Sequence, residues 1–241
     1  MESKHFDVVV VGAGISGIGA GYYLQTKSPT KSFCIIEGRE SIGGTWDLFQ
    51  YPGIRSDSDM FTLGYAFKPW TDRKSIADGP SILNYLKETV KENNLEKKII
   101  FSHKVRSANW DSSKSEWVLE VTNNINEEIA YVTCNFLFTG TGYYNYDSGY
   151  TPEFQSLEKF QGQIIHPQKW PKDFNYADKK VIVIGSGATA ATIVPEIAKK
   201  SKHVTMLQRS PTYYFPSLDE DRFANFLKKI LAVSSSIVAT I

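Results

Sequence analysis

Four consecutive valines, Val8 to Val11, run straight into Gly12-Ala-Gly-Ile-Ser-Gly17, and this junction leaves the chain few ways to begin folding. An unbroken run of β-branched residues reads as a strand buried on both faces, the condition of a strand inside a parallel sheet. The G-x-G-x-x-G spacing that follows predicts a tight turn into a helix from Ile15 to about Leu24. Gly12 permits the turn, Gly14 lets a pyrophosphate approach the backbone, and Gly17 lets the helix lie close on the strand. The helix N-terminus would offer its N–H groups, around Ile15 and Ser16, to the phosphates. A second predicted strand, Phe33-Cys-Ile-Ile-Glu37, ends in a carboxylate 20 residues after Gly17. At that spacing an acid meets the ribose hydroxyls of a bound dinucleotide.

The same unit recurs later in the chain. Lys180-Val-Ile-Val-Ile184 predicts a second buried strand, and Gly185-Ser-Gly-Ala-Thr-Ala190 a second nucleotide turn. Gly185, Ser186, Gly187, Ala188 and Thr189 are its candidate phosphate-binding residues. A helix to about Lys200 and a strand over His203–Gln208 complete the repeat. The expected fold class is therefore α/β, with two Rossmann-like dinucleotide-binding units, the second of them truncated. The units differ where a nucleotide's 2′ position would lie. Glu37 suits free ribose hydroxyls and would repel a 2′-phosphate. In the second unit that place holds Gln208-Arg209-Ser210, with no acid and a guanidinium able to grip a phosphate. FAD is thus expected at the first turn and NADPH at the second, through Arg209 and Ser210.

Between the two turns lies a longer stretch of mixed character. Residues 38 to 57 carry Gly38, Gly43, Gly44, Pro52 and Gly53, and read as a long irregular connection of the kind that is usually functional. Apolar residues Ile82, Leu83, Tyr85, Leu86 and Val90 recur at helical spacing between Pro80 and Leu95. Lys98–Trp110, Glu116–Thr122 and Glu127–Phe138 read as a β-meander inserted in the first unit. It returns through a strand ending at Gly140-Thr-Gly142. The prolines and aromatics from Phe160 to Pro171 mark a linker. This gives an FAD-binding domain over 1–145, a linker over 146–176 and a partial NADPH-binding domain over 177–241.

Bulk properties exclude several classes. Net charge is +1, and the basic pairs are scattered, so nothing points to nucleic acid. No apolar run approaches the length of a membrane span, which leaves only peripheral membrane association open. The first residues lead directly into a strand, leaving no room for a secretory signal. Cys34 and Cys134 have neither a C-x-x-C nor a metal-ligand spacing, and no metal site is expected. They read as small buried hydrophobes in a reducing, cytoplasmic setting.

These residues resemble the class B flavoprotein monooxygenases, which include the Baeyer–Villiger monooxygenases. Phe160, Gly162, His166, Trp170 and Pro171 match that family's F-x-G-x-x-x-H-x-x-W-P fingerprint, with Pro167 where threonine or serine is more usual. The likeness extends to the ethionamide-activating group through Gly43-Gly-Thr-Trp-Asp-Leu48, Tyr51 to Asp59, His166-Pro-Gln168 and Met206 to Tyr213. It implies an enzyme that uses NADPH to reduce FAD. O₂ then forms a C4a-peroxyflavin, and one oxygen atom is inserted into a small organic substrate. That step is a Baeyer–Villiger oxidation of a ketone or an oxygenation of sulfur or nitrogen. It also implies flavin contacts at Gly44, Thr45, Trp46, Asp47 and Asp57, and an adenine contact through the backbone of Val105. Arg55, Asp57 and His166 would carry the catalytic work, His166 by coupling NADPH binding to domain closure rather than as a base.

Members of that family are about twice as long, and their second half completes the FAD domain. The chain here reads as an N-terminal fragment that is inactive alone. It ends in a helix, Arg222 to Ile241, with nothing to anchor it. Two other readings stand beside the monooxygenase fragment. One is a non-catalytic nucleotide-binding remnant of such an enzyme. The other, a two-dinucleotide disulfide reductase, would need the C-x-x-C that this sequence lacks.

Overall fold

The computed structural model describes residues 4–216 and 218–231. The chain divides into two compact units, Met1–Leu48 with Leu83–Tyr144 and Phe49–Ile82 with Asn145–Ile241.

In the first unit β1 (Lys4–Val11) runs parallel to β2 (Phe33–Ile36) on one side and to β6 (Ile129–Thr139) on the other. Flanked this way, Val9 and Val10 are fully buried. The helix after the first turn, α1 (Ile15–Lys27), buries Gly17, Ile18, Gly19 and Gly21. Its small residues bring the helix close to the sheet, so that a Cβ at Gly21 would meet Ile35 Cδ1 at 2.8 Å. The helix runs a turn beyond the predicted Leu24, and Ser28 closes it by donating its N–H to the Leu24 carbonyl at 3.0 Å.

The first predicted meander strand is broken in two. Ser102, at φ +57°, separates β3 (Ile99–Ile100) from β4 (His103–Asp111). β4 pairs antiparallel with β5 (Glu116–Asn123), and β5 with β6. The strand that ends the meander is thus the same strand that lies beside β1. The sheet order is β3-β2-β1-β6-β5-β4, yet its edge strands β3 and β4 are joined by Phe101 and Ser102 alone. The sheet must curl until its edges approach. It encloses a core of Phe6, Val9, Cys34, Ile36, Leu119, Val121 and Cys134. Both cysteines are free and buried there, as the sequence predicts.

The connection after Glu37 is not irregular throughout. Gly43 and Gly44, at φ +114° and +54°, turn the chain into a one-turn helix, α2 (Thr45–Leu48). Asp59 then starts α3 (Met60–Leu63) by accepting the Thr62 N–H at 2.9 Å. The helix predicted from residue 80 is α4 (Gly79–Glu92), and Ile82, Tyr85, Leu86 and Val90 are its buried face. Asn94, in the left-handed region, ends it short of Leu95.

In the second unit β7 (Lys180–Ile184) and β8 (His203–Leu207) form a parallel pair crossed by α5 (Ala188–Ile197). Ala190, Thr192, Ile193 and Ile197 of α5 are buried, and Gly53 sits so close that a Cβ there would lie 3.0 Å from the Thr192 carbonyl oxygen. Ile182, Ile184 and Leu207 are each more than half exposed. The last helix, α6 (Arg222–Leu231), is anchored, contrary to the expectation from sequence. Ala224 is buried, Ser75 donates its N–H to the Asp219 carbonyl at 2.7 Å, and Asn225 donates to the Arg73 carbonyl at 3.0 Å. Ion pairs Arg73–Glu220 and Lys74–Asp219, at 3.1 and 3.2 Å, reinforce this corner. The predicted remainder of that helix, 232–241, lies outside the described residues. Among the described residues no helix is long and apolar enough to cross a membrane.

Candidate functional site

The first glycine turn sits where β1 ends against β2 and β6. Gly12 has φ +98°, and a Cβ there would lie 2.6 Å from the Gly140 carbonyl oxygen. Both its conformation and its neighbour exclude a side chain. Gly140 closes the turn from behind, donating its N–H to the Val11 carbonyl at 2.8 Å. A Cβ at Gly17 would collide with the Gly12 carbonyl, so α1 rests on the turn itself. Gly14 differs. The nearest atom to a Cβ there is Gly44 Cα at 3.7 Å, an ordinary contact, so the backbone at Gly14 is not crowded as it is at Gly12 and Gly17. Gly14 also contributes no side-chain cap to α1, and Ser16 is exposed.

Glu37 is 5% exposed, and each carboxylate oxygen has a backbone partner. Oε2 accepts the Ala13 N–H at 2.7 Å and Oε1 the Arg39 N–H at 2.9 Å. A carboxylate has about four lone-pair sites, so two remain for ribose hydroxyls. Its occupied sites tie the turn to the loop after β2. That loop is pinned again by Arg39, which pairs with Asp47 at 2.7 Å and donates to the Gly44 carbonyl at 3.3 Å. Ser41 donates to the same Asp47 carboxylate at 2.5 Å. Gly43 in turn donates its N–H to the Ala13 carbonyl at 3.0 Å. Gly12, Gly14, Gly17, Glu37, Gly44 and Asp47 are therefore gathered at the first turn, with Thr45 and Trp46 half-buried on the adjoining α2. Val105 lies near Glu37 on β4, whose His103 donates its N–H to the Glu37 carbonyl at 2.9 Å. A register shift between Val105 and Ser107 interrupts the strand pairing there.

Arg55, Asp57, His166 and the whole second turn belong to the second unit. Arg55 and Asp57 are exposed, while Ser56 between them is buried and donates its N–H to the Ala77 carbonyl at 2.9 Å. His166 uses Nδ1 to accept the Gln168 N–H at 3.2 Å, which fixes it as a cap on the turn Pro167–Lys169. Its ring lies against Gly149, where no Cβ would fit. Gln168, itself buried, donates to the Asn145 carbonyl at 2.6 Å. The other fingerprint residues also pack locally. Phe160 lies over Gly162, and Trp170 meets Phe174 and Tyr176 edge-on at 5.6 and 6.2 Å.

The second glycine turn is open. No atom lies within 4 Å of a Cβ built on Gly185 or Gly187, so its backbone is accessible from that side. Arg209 and Ser210 are exposed beyond β8, and Arg209 has no hydrogen bond or ion pair among the described residues. Sequence reasoning missed the parts played by Arg39, Gly149, Thr212 and Tyr214, for which no local signal exists. It read the glycine turn at Gly140 but not its place behind Gly12.

Burial pushes the Cys34 thiol up to about 12 and raises that of Cys134 as well, so neither is a ready nucleophile. Among the described residues no group of three His, Cys, Asp or Glu side chains is placed to hold a metal.

Comparison with known proteins agrees with this geometry. The flavin-binding monooxygenase-like family model matches residues 67–236, and an NAD(P)-binding Rossmann-like domain model matches residues 10–71. The chain is 58% identical over 212 residues to the FAD-containing monooxygenase EthA of Mycolicibacterium smegmatis, covering 88% of this chain and 43% of that protein. With EthA of Mycobacterium tuberculosis it shares 52% identity, over 98% of this chain and 48% of the relative. Among solved structures, an oxidised steroid monooxygenase bound to NADP superposes with a TM-score of 0.79 at 30% identity. That match covers 95% of this chain and 43% of the other. OTEMO in complex with FAD and NADP superposes with a TM-score of 0.73 at 28% identity, over 89% of this chain and 41% of the other. The chain spans less than half the length of these relatives.

Proposed function

The chain belongs to the flavin-binding monooxygenase-like family, and from that membership we propose that it supplies the N-terminal, nucleotide-binding part of an FAD- and NADPH-dependent monooxygenase. The reaction is insertion of one oxygen atom of O₂ into a small organic substrate, at a ketone carbonyl or at a soft sulfur or nitrogen. One observation carries the assignment of cofactors. Two glycine turns of like build are followed by second strands with opposite endings, a buried carboxylate at Glu37 and an exposed guanidinium at Arg209.

The uncrowded backbone at Gly14 would receive the pyrophosphate of FAD, and the open backbone at Gly185 and Gly187 that of NADPH. Bound flavin would supply the redox chemistry, taking up hydride from NADPH and activating O₂. The chain's own residues do the rest. Glu37 receives the ribose hydroxyls on its remaining lone pairs, with Val105 beside it toward the adenine. Gly44, Thr45, Trp46 and Asp47 border the flavin side of the first turn, and the Arg39–Asp47 pair keeps them from spreading. Ser186, Ala188 and Thr189 bind phosphate at the start of α5, while Arg209 and Ser210 take the 2′-phosphate. Asp57 and Arg55 act at the reacting face, and His166 couples NADPH binding to closure.

Paired titrations test this reading. Glu37→Ala should weaken FAD binding to the chain and leave NADP⁺ unchanged. Arg209→Ala should do the reverse, costing about 1.5–3 kcal/mol of NADP⁺ affinity. Parallel losses for both cofactors in both variants would end the assignment. A second reading, a nucleotide-binding module without catalysis, is favoured by the exposed Ile182, Ile184 and Leu207 of the β7–β8 pair. Mass spectrometry of candidate ketones and thioethers after incubation with FAD, NADPH and a full-length protein that carries this chain as its N-terminal part separates the two readings, because only the first yields a product heavier by one oxygen.

A further inference from the structure

The segment after β8 returns across the second glycine turn and is fastened to it. Gly185 donates its N–H to the Leu207 carbonyl at 2.9 Å, which ties the turn to the end of the strand. One residue further along the turn, Ser186 receives two bonds from beyond Pro211. The Thr212 hydroxyl donates to Ser186 Oγ at 2.7 Å, and the Tyr214 hydroxyl donates to the Ser186 carbonyl at 2.8 Å. Residues 208 to 211 therefore form a four-residue bridge with both ends held by adjacent residues of one turn. Arg209 and Ser210 are the middle of that bridge.

We propose that Thr212 and Tyr214 are positioning residues for nucleotide selectivity, holding the Arg209–Ser210 bridge beside the second glycine turn so that the guanidinium is presented to a 2′-phosphate. This rests on the reading of that turn as the NADPH site. A four-residue loop fixed at both ends has little conformational entropy left to lose when it meets a ligand. Without the two hydroxyls its far end is released, and the long arginine side chain must be ordered at the moment of binding. The 2′-phosphate is met by Arg209, whereas NAD⁺ lacks that group. Loss of the tie should therefore fall on NADP⁺ alone.

The experiment measures dissociation constants of the chain for NADP⁺ and NAD⁺ by calorimetry, in wild type, Thr212→Ser and the double variant Thr212→Val with Tyr214→Phe. All three positions at the tie are reached by side chains that the fold does not bury, and circular dichroism checks that the double variant keeps its secondary structure. The expected result is a wild-type preference for NADP⁺ that falls about three- to tenfold in the double variant. NAD⁺ affinity should stay unchanged, and Thr212→Ser should retain the wild-type preference. An unchanged preference in the double variant overturns the tie while leaving the NADPH site standing. Equal losses for both nucleotides also overturn it, because they would mark a merely structural role. A wild-type chain that shows no preference for NADP⁺ overturns the site and the tie together.

Discussion

The two glycine turns start from nearly the same residues and end in different physical states. The first is embedded. Its strand lies between two parallel neighbours, Gly140 backs Gly12, α1 rests on the turn, and Glu37 holds the Ala13 N–H. The second stands on a two-stranded pair, with open space beside both its glycines and the 208–214 segment as its brace. A glycine motif thus specifies the path of the backbone, while its rigidity comes from whatever the rest of the sheet places around it. The same residue type can be indispensable in one copy and only preferred in the other.

That contrast is broken or upheld most directly by one substitution made twice. Gly12→Ala combines a positive φ with a backbone collision at the Gly140 oxygen, and should cost about 3–5 kcal/mol, enough to lose the first unit's cooperative melt. Gly185→Ala has a φ of +126° but meets nothing, and should cost about 1–2 kcal/mol. Equal costs in urea titrations would mean that the surroundings of the turns do not differ in the way described. A core pair follows the same logic. Leu119 is fully buried inside the curled sheet, and Leu119→Ala should cost about 2–5 kcal/mol. Ile182, on the uncovered side of β7, is 61% exposed, and Ile182→Ala should change stability by less than about 0.5 kcal/mol. A large loss at Ile182 would show that its face is covered in solution.

Much of the first unit was legible because its signals are local. The valine run, the glycine spacing and the acid after β2 are each readable within a few residues, and they predict β1, α1 and β2 closely. The helix from residue 80 announced itself by apolar spacing. What could not be read depends on pairs far apart in the chain. Nothing near Arg39 says that its partner is Asp47, and nothing near Thr212 or Tyr214 points back to Ser186. The break at Ser102 was hidden because its left-handed conformation is set by hydrogen bonds to Arg39 and Asn124, not by a glycine. The anchoring of α6 came as a correction for the same reason, since its partners, residues 73 to 75, lie well over a hundred positions earlier.

Glu37 sharpens the comparison at a single side chain. Its two oxygens serve two backbone donors, so Glu37→Gln must turn an amide NH₂ toward one of them. One buried N–H then loses its acceptor, at about 1–3 kcal/mol. The loss should appear in the chain without any nucleotide present, which separates bracing of the turn from ribose binding. Arg209→Ala, at the matching place in the second unit, should leave stability within about 0.5 kcal/mol. If Glu37→Gln melts like wild type, the carboxylate serves only the ligand.

The smallest effect expected is a difference in alkaline stability, and it too distinguishes the units. Both cysteines of the sequence lie in the first. Desolvation raises the Cys34 thiol from its ordinary value of 9.0 to about 12, because a buried thiolate has lost its water. A raised value in the folded state favours the protonated form. Its contribution is therefore fully present below the ordinary thiol range and is lost as pH rises from 9 toward 12, where the unfolded chain releases its proton and the native one does not. By pH 10 the loss should reach about 1 kcal/mol. In the second unit the Lys74 ammonium is also held above its usual range, by its hydrogen bond to Asp219. That group is exposed and its contribution fades only at higher pH, beyond the ordinary lysine value of 10.5. Between pH 9 and 10, then, wild type should lose more stability in urea titrations than Cys34→Ala, whose remaining loss falls on the buried Cys134, and a thiol reagent should react with the native chain far more slowly than with the unfolded one. An equal alkaline loss in wild type and Cys34→Ala would remove Cys34 as the sensitive group.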